Sequence, residues 1–272
     1  RPDDDGAVDA SLPSYCNGIV LYASFDTKLT GDLGGDSTLS HGGVTRSEDG
    51  KFGGALSLVR DAGKLDAGAA HYFLASDAGN PWPEDVGSIS LWYRAVPGAS
   101  PNPVLYRPVA TLPPAPLQTA GLALVLDFGD RTGLHEQAAG PVLTFGLAQV
   151  APYLRDGEYN HWFAAWRKPG SGEPTAYIAL NGGLGVDYAD SGTIHPDAAD
   201  DAGELAVPYR GFTRRPWTSE GTPVGVRFGG AGGNSPDGTI DDVAIWGRVL
   251  SFEEVAAVYA SGRSLGDACK LR

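Results

Sequence analysis

The acidic side chains are the residues most able to do chemistry here, because two paired carboxylates can hydrolyse a glycosidic bond. Retaining glycosidases hold the pair about 5 to 5.5 Å apart and inverting ones about 6.5 to 9.5 Å apart. The candidates are Glu84 and Asp85 in a predicted turn, Glu158 at a predicted hairpin start, and Glu253 and Glu254 at a predicted helix start. No predicted strand carries alternating acids, so the sequence predicts no catalytic residues.

Other catalytic patterns are also missing from the sequence. His161 precedes Trp162 inside a predicted strand, where a histidine is more often packed or hydrogen-bonded than a general base. The chain has no Gly-x-Ser-x-Gly elbow, no paired-histidine metal motif and no phosphate-binding loop. We therefore expect a protein that is not an enzyme. A glycoside hydrolase whose acids converge from distant segments stays as a third hypothesis.

Aromatic side chains offer a different kind of site, because their faces stack on sugar rings and dominate binding hot spots. The chain has 6 Trp and 11 Tyr. Four tryptophans fall in predicted strands and are expected in the core: Trp92, Trp162, Trp166 and Trp246. Trp82 and Trp217 fall in predicted loops. These two are the predicted ligand contacts.

Composition narrows the class of protein. The 272 residues include 39 Gly and 20 Pro, and apolar spacing of three and four is confined to the C-terminal segment, which excludes a helical bundle. The net charge of -13 without a basic stripe argues against nucleic acid. No apolar run reaches the roughly 20 residues of a membrane span. The lack of Met, with a start at Arg1, suggests a mature chain whose leader has been removed.

The clearest local pattern is TIDDVAIWGRVLSFEEVAAVYASG, residues 239–262. Its first part alternates as a strand does, with Asp241, Val243 and Ile245 predicted on one face. Ser251 and Glu254 then form a predicted capping box, and Gly262 fits a left-handed C-terminal cap. The segment therefore predicts a strand followed by one short helix.

Further strands are predicted along the chain, with two long irregular stretches between them. The predicted strands lie in residues 18–26, 50–58, 88–96, 121–129, 140–148, 159–168 and 174–184. Residues 97–118 are so rich in Pro that ladder pairing is not expected there, and residues 185–221 read as a long acidic loop. Residues 1–15 read as an acidic arm and residues 16–272 as one domain.

Five of these segments, in this order, resemble the laminin-G-like family. They are the opening strand ending in Phe25-Asp26, GKFGGALSL, SISLWYRA, the hairpin from HWFAAWR to NGG, and IDDVAIW with LSFEEV. The resemblance implies an all-β fold, a concanavalin-type antiparallel β-sandwich jelly roll with one short C-terminal helix. The Pro-rich insertion and the acidic loop depart from the family pattern. These two segments lie where specificity for a ligand would reside.

The resemblance also implies a structural calcium ion. Asp26, the backbone near Gly50, and Asp241 stand where many such sandwiches bind one, and calcium takes six to eight oxygen ligands. An Asp241 carboxylate pointing into apolar surroundings needs a partner, which a metal, backbone amides or an arginine can each supply. In the acidic loop, Asp197, Asp200 and Asp201 form either a second calcium site or a solvated cluster.

The two cysteines suggest where the protein works. Cys16 and Cys269 flank the first and last recognisable elements, where a disulfide would close a sandwich whose terminal strands are neighbours; two unrelated thiols are the alternative. A disulfide would point to an oxidising compartment, hence a secreted or cell-surface protein.

The first functional hypothesis is a secreted, noncatalytic binding or adhesion module for a carbohydrate or an extracellular protein. The second is a structural subunit that self-assembles as a homo-oligomer, in a fibre or surface layer, through residues 1–15.

Overall fold

Strands dominate the part of the chain that the computed structural model describes. The described residues are 12–34, 37–40, 44–59, 70–73, 82–83, 85–96, 104–109, 122–127, 131–136, 140–146, 155, 157–167, 175–182, 225–229 and 237–271. The strands are β1 (Ile19–Ala23), β2 (Ser37–Ser40), β3 (Val44–Ser47), β4 (Ala55–Leu58), β5 (Ala70–Phe73), β6 (Val86–Ala95), β7 (Val104–Val109), β8 (Leu122–Asp127), β9 (Arg131–Glu136), β10 (Gly140–Gly146), β11 (Asn160–Arg167), β12 (Thr175–Leu180), β13 (Gly225–Phe228) and β14 (Gly238–Trp246). The helices are a 3₁₀ turn (Ser14–Cys16), α1 (Phe252–Ala260) and α2 (Leu265–Ala268).

The strands form two seven-stranded sheets. The first has the order β12-β11-β6-β14-β4-β3, with β1 also paired to β14. The second has the order β10-β9-β8-β7-β13-β5-β2. Every named pairing is antiparallel. The predicted all-β antiparallel sandwich is confirmed, and α2 adds a second short helix to the one that was predicted.

Because successive side chains point to opposite faces of a strand, one set of them lies in the space between the two sheets. In β6, Ile89, Leu91 and Tyr93 belong to this core, as the alternating pattern predicts. From neighbouring strands, and from Phe25 just after β1, the core also receives large side chains; those in strands are Leu21, Leu56, Trp162, Trp166, Phe228, Ile240 and Ile245. The expectation that Trp162 and Trp166 are core residues is therefore confirmed.

The opposite face of the first sheet is covered by the C-terminal helices. Phe252, Val255 and Val258 of α1 pack there with Trp246 in a second apolar cluster. The predicted capping box is present, because the Ser251 hydroxyl accepts the Glu254 N–H and the Glu254 carboxylate accepts the Ser251 N–H. Gly262 has φ +60°, the left-handed conformation expected after the helix.

The predicted disulfide is confirmed and ties the two ends of this covering layer together. Cys16 and Cys269 are bonded, with their Cα atoms 5.3 Å apart. Tyr15 beside Cys16 is buried, and its carbonyl accepts a 2.7 Å hydrogen bond from the Trp246 indole. Residues 14 and 15 therefore pack on the domain, whereas residues 1–11 of the predicted arm lie outside the described residues.

The prediction that residues 97–118 make no ladder was wrong. Strand β7 (Val104–Val109) pairs with β8 on one side and β13 on the other. Pro103 and Pro108 bracket four residues that keep their N–H groups, and these are enough for a short strand. Local proline density therefore hid a strand in the second sheet.

A strand also lies between the predicted strands 121–129 and 140–148, where none was predicted. In this stretch β9 pairs with both β8 and β10, so three strands replace the predicted pair. Backbone pairing needs no apolar side chains, which is why the polar sequence RTGLHE gave no signal. No helix among the described residues has the length and apolarity to cross a membrane.

Candidate functional site

Three side chains lie in a row across the outer face of the first sheet. Trp92 of β6 stands directly opposite His161 of β11 and directly opposite Asp241 of β14. Residues directly opposite each other in antiparallel strands share a face. Trp92 is therefore the centre of a row that has a histidine on one side and a carboxylate on the other.

A bulge in β14 puts Asp241 in this row and corrects its predicted direction. Two residues, Asp242 and Val243, stand opposite the single residue Leu91, and Asp242 has φ +49°. Val243 and Ile245 therefore face the core with Ile240, whereas Asp241 faces outward. The prediction that Asp241 shares a face with Val243 and Ile245 was wrong because simple alternation stops at the bulge.

Trp92 is packed between residues from two other elements. The Tyr259 ring of α1 stacks on it, with centroids 5.7 Å apart and planes 19° apart, and the Phe52 ring meets it edge-on at 5.6 Å. Trp92 is only 4% exposed, while Phe52 and Tyr259 are half-buried. Trp92 is thus the buried support of an aromatic surface whose accessible parts are Phe52 and Tyr259.

Two exposed cations flank these rings. The Lys51 ammonium lies 4.8 Å from the Trp92 ring centroid and 5.9 Å from that of Phe52. The Arg155 guanidinium donates a 2.9 Å hydrogen bond to the Tyr259 hydroxyl. We call Lys51, Phe52, Trp92, Arg155 and Tyr259 together the Trp92 surface. This surface combines aromatic rings with two positively charged hydrogen-bond donors.

The position of Tyr259 depends on a close approach by glycine. Gly182, just after β12, has φ +81°, and a Cβ at this position would lie 2.6 Å from Tyr259 Cδ1. A side chain at residue 182 would therefore displace the tyrosine ring. The Asn-Gly-Gly that the sequence places at the end of the hairpin thus leaves room for this part of the surface.

A third cation stands beside the surface but is already paired. The Arg94 guanidinium lies 4.7 Å from the Tyr159 ring centroid and 2.8 Å from an Asp49 carboxylate oxygen. The Tyr159 hydroxyl donates to the Asp49 carbonyl and lies 2.7 Å from the Thr239 hydroxyl. Burial raises the pKa of Tyr159 above its usual value of 10.0. This group fixes the loop that carries Lys51 and Phe52.

His161 is a packed residue, as its strand position predicted. It is 0% exposed, and its Nε2 lies 2.7 Å from the Ser90 hydroxyl. Complete burial lowers its pKa from 6.5 to about 3. The imidazole is therefore neutral near pH 7. Its complete burial separates it from any substrate.

The residues predicted to bind calcium do lie together, around the loop that carries Gly50. The Asp26 carboxylate accepts the Gly54 N–H at 2.9 Å, and the Asp241 carboxylate accepts the Phe52 and Asp242 N–H groups at 2.9 and 2.6 Å. The Gly50 N–H bonds the Gly53 carbonyl at 2.7 Å. Backbone amides, one of the partners expected for Asp241, are therefore present.

These contacts provide only part of what a calcium ion takes. No group of three or more His, Cys, Asp or Glu side chains that could hold a metal ion occurs among the described residues. Arg46 also donates to the Asp26 carbonyl, which brings a positive charge close to Asp26. Burial raises the Asp241 pKa from 3.8 to about 7. The backbone N–H groups reach both oxygens of the Asp241 carboxylate and Oδ1 of Asp26, and calcium stays a prediction.

The two tryptophans predicted to contact ligand are not part of this surface. Trp82 is 3% exposed and belongs to the core between the sheets, so its ring offers no accessible face. Its predicted ligand role is corrected on this ground, since a loop position in the sequence did not mean an exposed side chain. Trp217, Asp197, Asp200 and Asp201 lie outside the described residues.

Comparisons with known proteins give a fold and no family. No family model matches the chain, and no curated protein does. The solved binding domain of botulinum neurotoxin serotype D superposes with a TM-score of 0.59 at 13% identity, over 93% of this chain and 52% of that one. The binding domain of botulinum neurotoxin DC gives 0.58 at 12% identity in complex with SialylT, covering 92% and 53%. Its complex with rat synaptotagmin II gives 0.59 at 12%, with the same coverage.

The likeness to these structures is one of fold. The chain spans about half the length of the neurotoxin chains it matches, and at this identity no residue role transfers. It agrees with the two-sheet sandwich described above.

Sequence reasoning did not identify four members of the surface: Lys51, Phe52, Arg155 and Tyr259. A signal existed for three of them. Lys51 and Phe52 stand between glycines in GKFGG, a segment for which only a strand and a Gly50 contact to calcium were predicted. Tyr259 follows Val255 by four residues, so it shares the helix face that turns to the sheet. Nothing local marked Arg155.

Proposed function

We propose that this chain is a noncatalytic laminin-G-like jelly-roll module that recognises a carbohydrate or a protein surface outside the cell through the Trp92 surface. The observation that carries the proposal is the fixed arrangement of half-buried Phe52 and Tyr259 on the buried Trp92 ring. Aromatic faces held rigid by packing bind with little loss of conformational entropy.

The chemistry of the surrounding residues supports binding rather than catalysis. The nearest acid and base, Asp241 and His161, are 1% and 0% exposed, so neither reaches a bound ligand. Of the acids considered for glycosidase chemistry, Glu254 is engaged in the capping box and with Arg248, and Glu158 is exposed at the start of β11. The surface offers ring faces and cations in place of a general acid and base.

The structural relatives support a binding role at the level of fold. The neurotoxin binding domains were solved with SialylT and with synaptotagmin II, so chains of this architecture include glycan and protein binders. An extracellular location is supported by the Cys16–Cys269 disulfide, since such bonds persist in oxidising compartments.

A substitution at Phe52 tests the proposal against a matched control. Phe52→Ala removes an accessible ring from the surface, and Val59→Ala removes apolar atoms from a side chain that is 54% exposed elsewhere. Both proteins and the unchanged chain would be applied to a glycan array and to extracellular-matrix proteins. We expect the unchanged chain and Val59→Ala to bind the same ligands, and Phe52→Ala to lose at least tenfold in affinity, the scale of a hot-spot residue.

Two results would count against the proposal. Equal binding by all three proteins would remove the Trp92 surface as the site. Saccharide cleavage that is lost on changing one carboxylate would replace the binding module with the glycosidase hypothesis.

A further inference from the structure

We infer that the ligand of the Trp92 surface is an acidic saccharide, whose carboxylate or sulfate group is bound by Lys51 while the sugar ring lies on Phe52 and Tyr259. This inference rests on the proposed function and names the ligand class of the same site. It follows from the placement of positive charge in a chain whose net charge is -13.

The Lys51 ammonium has no carboxylate partner among the described residues, whereas four other described cations each have one. Lys28 pairs with Asp32, Arg46 with Glu48, Arg94 with Asp49 and Arg248 with Glu254. Among the described residues the Lys51 ammonium has only its ring contacts, although acids outnumber bases 33 to 20 in the chain. An exposed ammonium without an ion-pair partner is available to an acidic ligand.

The rings beneath Lys51 limit where its ammonium can lie. A cation over an aromatic face is attracted by the ring quadrupole, and the nitrogen is 4.8 Å from the Trp92 centroid. That contact uses none of the three N–H donors of the ammonium group. Lys51 therefore presents its donors beside the accessible ring of Phe52.

The second cation is attached to the other ring of the stacked pair. Arg155 bonds the Tyr259 hydroxyl, and Tyr259 stacks on Trp92, so positive charge is associated with both rings. Sugar rings place C–H groups on aromatic faces, and a carboxylate or sulfate accepts charge-assisted hydrogen bonds from Lys and Arg. A neutral saccharide would use the rings alone, whereas an acidic one uses rings and cations together.

The net charge of the chain makes the local charges decisive. At -13 the protein repels anions at long range, and this repulsion is screened beyond about 8 to 10 Å in physiological salt. Binding of an anion therefore requires cations in direct contact. Removing one contacting lysine should matter more than removing a lysine elsewhere.

The test uses saccharides that differ only in charge. Oligogalacturonate is compared with its methyl ester, and dextran sulfate with dextran, by calorimetry at low and physiological salt. The variants are Lys51→Ala, Lys51→Arg and the control Lys28→Ala, which removes one positive charge from an exposed lysine that already has a partner. Thermal unfolding of each variant verifies that it folds.

The inference predicts binding to at least one acidic probe, with the neutral partner bound at least tenfold more weakly. Lys51→Ala should lose about tenfold in affinity, the scale of one charge-assisted hydrogen bond. Lys51→Arg should keep most of the affinity, and Lys28→Ala all of it. The acidic probe that binds identifies the group as carboxylate or sulfate.

The other outcomes overturn the inference in distinguishable ways. Equal binding of charged and neutral probes, lost in Phe52→Ala and kept in Lys51→Ala, would leave the proposed function standing without the acidic ligand. Equal losses in Lys51→Ala and Lys28→Ala would mean unspecific charge attraction. Binding of no saccharide here or on the glycan array would overturn carbohydrate recognition itself.

Discussion

The Tyr22 hydroxyl donates a 2.8 Å hydrogen bond to the Asp242 carboxylate across 220 residues of sequence. The same carboxylate accepts the Leu265 N–H with both oxygens, each at 3.1 Å. Asp242 is the extra residue of the β14 bulge, and it is 2% exposed. The bulge therefore joins the first strand, the last strand and the start of α2.

Replacing Tyr22 with Phe should lower the free energy of unfolding by roughly 1 to 3 kcal/mol, because a buried carboxylate loses a donor. Urea denaturation would measure the change. Tyr22→Phe combined with Asp242→Ala should cost less than the sum of the two single changes, since each change removes the same hydrogen bond. Strict additivity would contradict a direct bond between these groups.

Loss of the disulfide should destabilise the protein by roughly 5 to 6 kcal/mol in a loop-entropy estimate, because the bond spans 253 residues. Cys16→Ser with Cys269→Ser, and the unchanged chain unfolded with reductant, should give the same lowered urea midpoint. Equal midpoints with and without the bond would show that the denatured chain gains little freedom when it opens.

His161 should make stability fall in acid. Its folded pKa of about 3 lies below the ordinary 6.5, so the unfolded chain binds the proton first and stability is lost as pH falls from 6.5 toward 3. The slope for one such group approaches about 1.4 kcal/mol per pH unit. We expect His161→Gln to lose this component in urea unfolding measured from pH 7 to pH 4.

The comparison with His161→Gln is needed because Asp241 changes the stability with pH in the opposite direction. Its folded pKa of about 7 is above 3.8, so its contribution to stability falls as pH rises through the same range. The unchanged chain can therefore show a nearly flat profile. A difference between the unchanged chain and His161→Gln that is independent of pH would contradict the burial of a neutral imidazole.

The calcium prediction is tested by thermal unfolding. If Asp26, Gly50 and Asp241 hold the ion, millimolar calcium raises the Tm of the unchanged chain, and Asp26→Asn abolishes the rise. Magnesium is the matched control, since it prefers a smaller octahedral site. An unchanged Tm in calcium would leave the two carboxylates to the backbone amides of their loop.

The sequence predicted best the features that depend on residues close together in the chain. The cap of α1 depends on Ser251 and Glu254, three residues apart, and it formed as expected. The alternation of Ile89, Leu91 and Tyr93 likewise placed them in the core. In both cases the physical cause lies within a few residues of chain.

The incorrect predictions concern features whose physical causes lie outside the local sequence pattern. Strands β7 and β9 are held by partners distant in the chain or by backbone groups that give no side-chain pattern. The outward turn of Asp241 depends on a positive φ at Asp242, which Tyr22 and Leu265 stabilise from far away in sequence. The members of the Trp92 surface come from the loop before β4, strand β6, the segment before β11 and helix α1, so no short stretch of sequence contains them.

The disulfide described above also decides how the domain responds to mechanical tension. A pull that enters the chain before Cys16 and leaves after Cys269 passes through one covalent bond, and the hydrogen-bonded ladders between them carry almost none of the load. The domain then behaves as a short, inextensible link. Reduction would release 253 residues, or roughly 800 to 900 Å of contour length, and turn the same link into an extensible one.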